Sequence, residues 1–205
     1  MSKGLFITFE GGEGAGKSTL IAKIQSYLSE HDQREIILTR EPGGSLLSED
    51  VRDILLRHSD KELLSDKAEL MLFLSARAQH VDNLIRPALE DDNIVLCDRF
   101  VDSSMAYQGV ARGFGVKEVE HLCRFVCGDV WPQITFFLDL DPRVGLSRND
   151  AADRIESEHI SFHDNVRAGY TSIADSEPER YIVLDATLSK EALCKSAIES
   201  LKKRL

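Results

Sequence analysis

Cysteine is scarce in this chain. Four occur in 205 residues, Cys97, Cys123, Cys127 and Cys194, and none forms a C-x-x-C pair. So thin a set excludes a disulfide scaffold and fits a reducing cytosol; Cys97, inside an apolar run, reads as a small core residue. Positive charge is also short, with Lys plus Arg at 25 against Asp plus Glu at 35 and a net charge of −10. A surface of that sign has no general means of displacing counterions from a duplex or of coating an anionic membrane, which excludes non-specific binding to nucleic-acid polymers and membranes. Long apolar runs are absent. Near the N-terminus only Gly4 to Phe9 precede Glu10, far less than a signal-peptide core or a membrane span needs, so the location expected is cytoplasmic. The five prolines mark local stops, not a linker, and no internal repeat or low-complexity segment occurs. Metal-ligand spacing is missing too: His159 and His163 share one helical face, but Ile160 stands where a zincin motif needs Glu.

What remains is an ordinary globular composition, 42% hydrophobic and 29% charged, able to build a packed core. At about 150 residues per domain, the length corresponds to about 1.4 domains, which is one domain over residues 1–205 with a small excursion. Five short runs rich in β-branched or aromatic residues stand out: Leu5 to Glu10, Glu35 to Arg40, Asn93 to Asp98, Ile134 to Asp139 and Tyr181 to Asp185. Each is almost continuously apolar, as a strand buried on both faces is. Helical patterns lie between them, at Ser18 to Ser29, Glu49 to Arg57, Ser65 to Leu84, Lys117 to Cys127, Asp164 to Asp175 and Ser189 to Leu205. This alternation predicts parallel β-α-β units with right-handed crossovers. The polar stretch at 141–163 reads as a lid or as a solvated surface loop.

After the first run comes Gly11-Gly12-Glu13-Gly14-Ala15-Gly16-Lys17-Ser18, followed by Thr19, matching G-x-x-x-x-G-K-[ST] between a strand pattern and a helix pattern. Glycines let the backbone curl so that its N–H groups converge on phosphate oxygens, and the following helix adds the positive end of its dipole. Lys17 is a point charge suited to β- and γ-phosphates, and the Ser18 hydroxyl can take one position around Mg²⁺. The fold class expected is therefore α/β of the P-loop NTPase type: three layers, α/β/α, on a five-stranded parallel sheet with a small lid.

In an open parallel sheet, ligands collect outside the carboxyl ends of the strands. Those ends carry charge here: Arg40-Glu41-Pro42-Gly43-Gly44 after the second run, and Asp98-Arg99 after the third. Asp98 closes an apolar run in the manner of a Walker B element that holds Mg²⁺; its plainer reading is simple strand termination. Arg40 and Arg99 read either as surface ion-pair partners or as two guanidinium groups that hold a second anion opposite the triphosphate. A phosphate-monoester acceptor has a second pKa near 6, is already anionic at neutral pH and needs no general base. Its obstacle is repulsion from the donor, which Mg²⁺, Lys17, Arg40 and Arg99 would offset. The chain has no H-R-D catalytic loop and no N-K-x-D guanine-reading motif. Both absences favour a small-molecule acceptor over a protein substrate or a GTPase switch.

Taken in order, Phe9-Glu10-Gly11 through Ser18-Thr19, Arg40-Glu41-Pro42-Gly43-Gly44, Phe73-Leu74-Ser75-Ala76-Arg77, Asp98-Arg99-Phe100 with Ser103-Ser104-Met105-Ala106-Tyr107-Gln108-Gly109, and Asp153-Arg154-Ile155-Glu156 resemble the thymidylate kinase family. The likeness runs from about Phe6 to Thr187, nearly the whole chain. It implies transfer of the ATP γ-phosphate to dTMP, giving dTDP and ADP for dTTP synthesis, with Mg²⁺ and a homodimer. It also implies that Arg40 and Arg99 bind the dTMP phosphate, Asp98 serves the metal, Phe73 stacks on thymine and Arg77 hydrogen-bonds the base. Tyr107 and Gln108 would line the deoxyribose and base end, with Ser104 a further substrate contact. Phe73 and Arg77, four apart, share a helical face with Leu70, Leu74 and Val81, so Arg77 also reads as a snorkelling side chain in an apolar stripe. Glu13 follows the bacterial form of the family, in which the lid supplies cations. The candidates are Arg148 and Arg154, with Arg143 just before them. Lys17, Arg99 and Arg154 are the catalytic set expected, Arg154 approaching the transferring phosphoryl group and Arg148 lying nearer the ATP.

Overall fold

Alternate residues of the apolar runs feed two separate cores, one on each face of a sheet. Along β1 (Leu5–Glu10), Phe6 belongs to one core while Ile7 and Phe9 belong to the other. In β3 (Ile94–Asp98), Val95 and Cys97 take the first side, Ile94 and Leu96 the second. This is why these strands read as continuous hydrophobic runs. With β2 (Ile36–Arg40), β4 (Ile134–Asp139) and β5 (Tyr181–Asp185) they form a five-stranded sheet, parallel throughout, in the order β2-β3-β1-β4-β5. The architecture is seen in a computed structural model that describes residues 4–57, 59, 62–148 and 153–205. The part of the expected lid at Asn149, Asp150, Ala151 and Ala152 lies outside the described residues.

α1 (Lys17–His31) and α9 (Lys190–Lys202) cover one face and pack on each other. α3 (Asp66–His80), α4 (Arg86–Glu90), α5 (Val101–Ser104), α6 (Val116–Cys127) and α8 (Ile160–Ser176) cover the other. The three α/β/α layers are therefore those expected. α2 (Leu46–Leu56) packs on α3 through Val51, Leu55 and Ala76, and Ser45 caps it by accepting the Ser48 N–H at 3.3 Å. No helix among the described residues is long and apolar enough to cross a membrane.

Three elements differ from expectation. The helix expected at Ser65 to Leu84 continues through a π-helical turn, Val81–Ile85, into α4, with Pro87 in its first turn. A proline ring inside a regular helix clashes with the carbonyl four residues before it, and a widened turn immediately ahead relieves that clash. Val101 to Ala111 is helical, α5 leading into a second π-helical turn, Met105–Ala111, where sequence periodicity shows no helix. Within 141–163, α7 (Pro142–Leu146) occupies the start and α8 already begins at Ile160.

All five strands point the same way, so Glu10, Arg40, Asp98, Asp139 and Asp185 end along one edge. Strand order reverses at β1, between its neighbours β3 and β4, and a crevice opens at such a switch point.

Candidate active site

A cavity of about 820 Å³ occupies that crevice, in the upper part of the range of small-molecule sites. Its floor is the loop between β1 and α1. Gly14 and Gly16 adopt positive φ, 64° and 98°, and α1 starts with no side-chain cap. Its first N–H groups are thus left to an anion. Glu13, Gly14, Ala15, Gly16, Lys17, Ser18 and Thr19 line the cavity. Gly11 and Gly12 instead hold Lys17 from behind, their carbonyls accepting from Nζ at 3.3 and 3.2 Å. Burial, then the nearby Arg99 cation, push the Lys17 ammonium below its ordinary pKa. An added anion would reverse the second effect.

Opposite stands the edge made by β2 and β3. Register aligns Arg40 with Asp98 and Asp98 with Phe9. Arg99 takes a left-handed conformation, φ 66°, unfavourable for a residue with a Cβ by about 1 kcal/mol. β1 holds it there from both sides: Arg99 N–H donates to Phe9 O at 2.9 Å and Phe100 N–H to Glu10 Oε1 at 2.7 Å. The guanidinium pairs through Nη2 with Glu13 and donates from Nη1 to the Tyr170 hydroxyl at 3.3 Å. Burial disfavours the Arg99 charge, and Glu13 together with Tyr107, Tyr170 and Asp98 outweighs it, raising its pKa. Arg40 reaches Glu49 at 2.8 Å. Asp98 lines the cavity, and its Oδ1 is buried without a hydrogen-bond partner among the described residues.

At the far end, Phe73, Arg77, Ser104, Tyr107 and Gln108 share the wall. Arg77 is 2% exposed, its guanidinium 5.3 Å from the Phe100 ring centroid. The Tyr107 hydroxyl is buried and, among the described residues, unpartnered. Gln108 Nε2 donates to Glu69 Oε1 at 2.9 Å.

The two arginines expected in a lid are placed differently. Arg148 lines the cavity and donates from Nη1 to Gly14 O at 2.6 Å. Arg154 does not line it: Nε donates to Leu55 O at 2.9 Å and Nη2 to Glu69 at 2.7 Å. Glu69 is 1% exposed on α3, and Arg112, Gln108 and Arg154 hold its carboxyl below its usual pKa although burial pushes the other way. That carboxylate turns Arg154 away from the cavity. Arg143 pairs with Asp164 at 3.0 Å on the surface.

The cavity also contains residues that sequence reasoning missed. Arg52 lines it from α2 and donates to Pro42 O at 3.0 Å beside Arg40. Burial, then Arg40, lower its pKa. In sequence Arg52 is one polar position of an amphipathic helix, with the same spacing signal as exposed Asp53. Ala186, Leu188, Lys190, Leu193 and Cys194 close the side near α9, and only their position after a strand end signalled it.

A parallel sheet in this order, an uncapped helix behind a glycine-rich phosphate loop, and an opposing set of arginines define a P-loop NTPase fold with the cleft of a nucleotide kinase. Comparison with known proteins narrows the class. The family model for thymidylate kinase matches residues 9–197. The thymidylate kinase of Protochlamydia amoebophila is 46% identical over 98% of this chain and 94% of its own length. That of Lactobacillus helveticus is 42% identical over 99% and 98%. The crystal structure of the Ehrlichia chaffeensis thymidylate kinase superposes with a TM-score of 0.78 at 35% identity, covering 97% of this chain and 98% of that one. The chain belongs to the thymidylate kinase family.

Proposed function

We infer that the protein is a nucleoside monophosphate kinase that transfers the γ-phosphate of ATP to dTMP, giving dTDP and ADP. One observation carries the reading: a phosphate loop and a separate anion-binding edge, Arg40 and Arg99, face each other in one cavity whose far wall holds Phe73 and Arg77. Two nucleotides fit such a site phosphate to phosphate. The loop N–H groups and Lys17 hold the donor. Arg40, Arg52 and Arg99 hold the acceptor phosphate, which is its own nucleophile at neutral pH. Catalysis is then positioning and charge stabilisation along an in-line path. Phe73 offers the base a stacking face, while Ser104, Tyr107 and Gln108 enclose the sugar and base end.

Mg²⁺ belongs to the same reading. The unpartnered buried Asp98 Oδ1 and the Ser18 hydroxyl in the same cavity fit a hard cation. No group of three or more His, Cys, Asp or Glu among the described residues forms a metal cage, and none is needed, because Mg²⁺ takes one or two protein oxygens together with substrate phosphates and water. Asp98 and Ser18 would hold the ion, which would supply positive charge against the donor phosphates. A cytoplasmic location fits four unpaired, buried cysteines. A homodimer would cover exposed Ile54, Met71 and Phe125 on α2, α3 and α6, helices packed consecutively.

A coupled ADP-release assay over a panel of nucleoside monophosphates tests the acceptor. dTMP should give the highest kcat/KM, and equal use of a purine monophosphate overturns the reading. For the lid, we assign the approach to the transferring phosphate to Arg148, and to Arg154 a positioning role through Glu69 and Gln108. Arg148→Ala should lower kcat about 100-fold or more, while Arg154→Ala should act mainly on the KM for dTMP. The reverse pattern restores Arg154 to the catalytic set.

A further inference from the structure

Arg77 is held more completely than a base-reading side chain needs for binding alone. Nε donates to Glu41 Oε2 at 2.7 Å, Nη1 to Ser104 Oγ at 2.9 Å and to Cys123 Sγ at 3.3 Å, and Nη2 to Phe100 O at 3.0 Å. A guanidinium has five N–H donors, so one, on Nη2, is left for the cavity that Arg77 lines. Glu41 is fixed in turn. Its other oxygen, Oε1, accepts from His80 Nδ1 at 3.0 Å, and His80 Nε2 meets Thr39 Oγ1 at 2.7 Å. His80 is fully buried and Glu41 nearly so. Gly44 seals the pair from above: a Cβ there would lie 2.3 Å from His80 Nε2 and 2.6 Å from Thr39 Oγ1. The final glycine of the Arg40-to-Gly44 loop is therefore required by the histidine beneath it.

We propose that Glu41 and His80 are positioning residues that act on the acceptor base through Arg77, so that one loop sets both the phosphate contact, by Arg40, and the base contact, by the Glu41–Arg77 pair. The proposal rests on the dTMP kinase reading above. Stability alone is a poor reason for such a cluster, because a buried ion pair is commonly matched or bettered by apolar side chains of equal volume. Its effect here is geometric. Glu41 at Nε and Phe100 O at Nη2 hold the guanidinium at two of its three nitrogens, leaving a donor that cannot turn. A base with a ring carbonyl at that position satisfies the donor. A base with an amino group there leaves two donors facing each other, unpaired. The buried chain from Thr39 to Arg77 thus makes the wall selective for a keto over an amino pyrimidine.

Steady-state kinetics with dTMP, dCMP and ATP on the full-length enzyme tests this. His80→Leu keeps the volume and removes both polar contacts; His80→Asn keeps a donor toward Glu41. The first should raise the KM for dTMP about tenfold and lower the dTMP-to-dCMP ratio of kcat/KM, with kcat and the KM for ATP within about twofold, and the second should recover most of the loss. A purely structural role predicts a lower melting temperature with an unchanged KM for dTMP and an unchanged ratio, and that result overturns the proposal. If His80→Leu does not fold, Thr39→Val decides in its place: a threefold or greater rise in KM for dTMP supports positioning, and a wild-type value overturns it. Wild-type enzyme that fails to use dTMP overturns the underlying reading, and shows it before any variant is made.

Discussion

Glu10 ends β1 fully buried, beneath the phosphate loop. Its Oε2, the Ser103 Oγ and the Tyr170 hydroxyl lie in mutual contact, at 2.6, 2.9 and 2.7 Å. An ionised Glu10 leaves two hydroxyl hydrogens for three contacts; a protonated one fills them all. Burial, then the neighbouring Asp102 carboxylate, raise the Glu10 pKa from 4.5 to about 7, against the Ser103 hydrogen bond and the Arg99 cation. The native state therefore keeps a proton that the unfolded chain releases near pH 4.5. Stability from this group is complete below that pH and is lost as pH rises through about 7. Glu10→Gln stays neutral and stands in for the protonated form, so its urea midpoint should lie close to wild type at pH 5 and the two should separate toward pH 8 as the wild type loses this contribution. Parallel profiles would place the Glu10 pKa near its unfolded value. At this scale the glycine-rich loop between β1 and α1 was legible, because Lys17 and Ser18 lie within a local motif. The Glu41 contact with Arg77 was not, since it joins residues 36 apart and follows from tertiary packing. Arg154 shows the same limit: its motif is local, and its buried partner Glu69 is 85 residues away.

Among the elements, α7 is the one the phosphate loop depends on most directly. Gly145 sits so close that a Cβ there would lie 2.1 Å from Glu13 O, and one on Gly14 would lie 2.3 Å from Gly145 O. Both contacts are backbone to backbone, so neither partner can give way by changing a rotamer. Gly145→Ala should displace α7 from the loop, carry Arg148 with it and lower kcat about tenfold, with a smaller loss of melting temperature. A wild-type kcat would show that α7 and the loop move independently. The strands were legible to within one residue: β1, β4 and β5 have the bounds expected, and β2 and β3 start one residue later. Burial on both faces writes itself into sequence as an unbroken apolar run. The helices were harder. Val101 to Ala111 mixes core residues with site residues such as Ser104, Tyr107 and Gln108, so no single apolar stripe reports it. The π-helical turns are invisible to a 3.6-residue period by construction.

For the molecule as a whole, charge and exposed apolar surface are unevenly spread. The chain carries −10 overall, yet among the described residues the cavity wall holds seven lysines and arginines against five carboxylates. A locally cationic cleft in an acidic protein captures small anions while the remaining surface repels polyanions. Apolar exposure is similarly concentrated: Phe125 is 83% exposed on α6 and Met71 51% exposed on α3. Scattered exposed leucines are normal, but a phenylalanine and a methionine exposed on helices in contact with each other carry an apolar area that association would bury. A second copy of the chain is the occupant the dimer reading requires, and a charge placed in that surface tests it without touching the cavity wall. Phe125→Glu should move the mass in light scattering from twice the 23.0 kDa chain to that of the single chain. A monomeric wild type, or a variant that remains dimeric, excludes α6 from the interface. Because Phe125 is absent from the cavity wall, the monomer should retain the phosphate loop and its arginines. A fall in kcat on dissociation would then mean that the partner stiffens α3, the helix that carries Phe73 and Arg77.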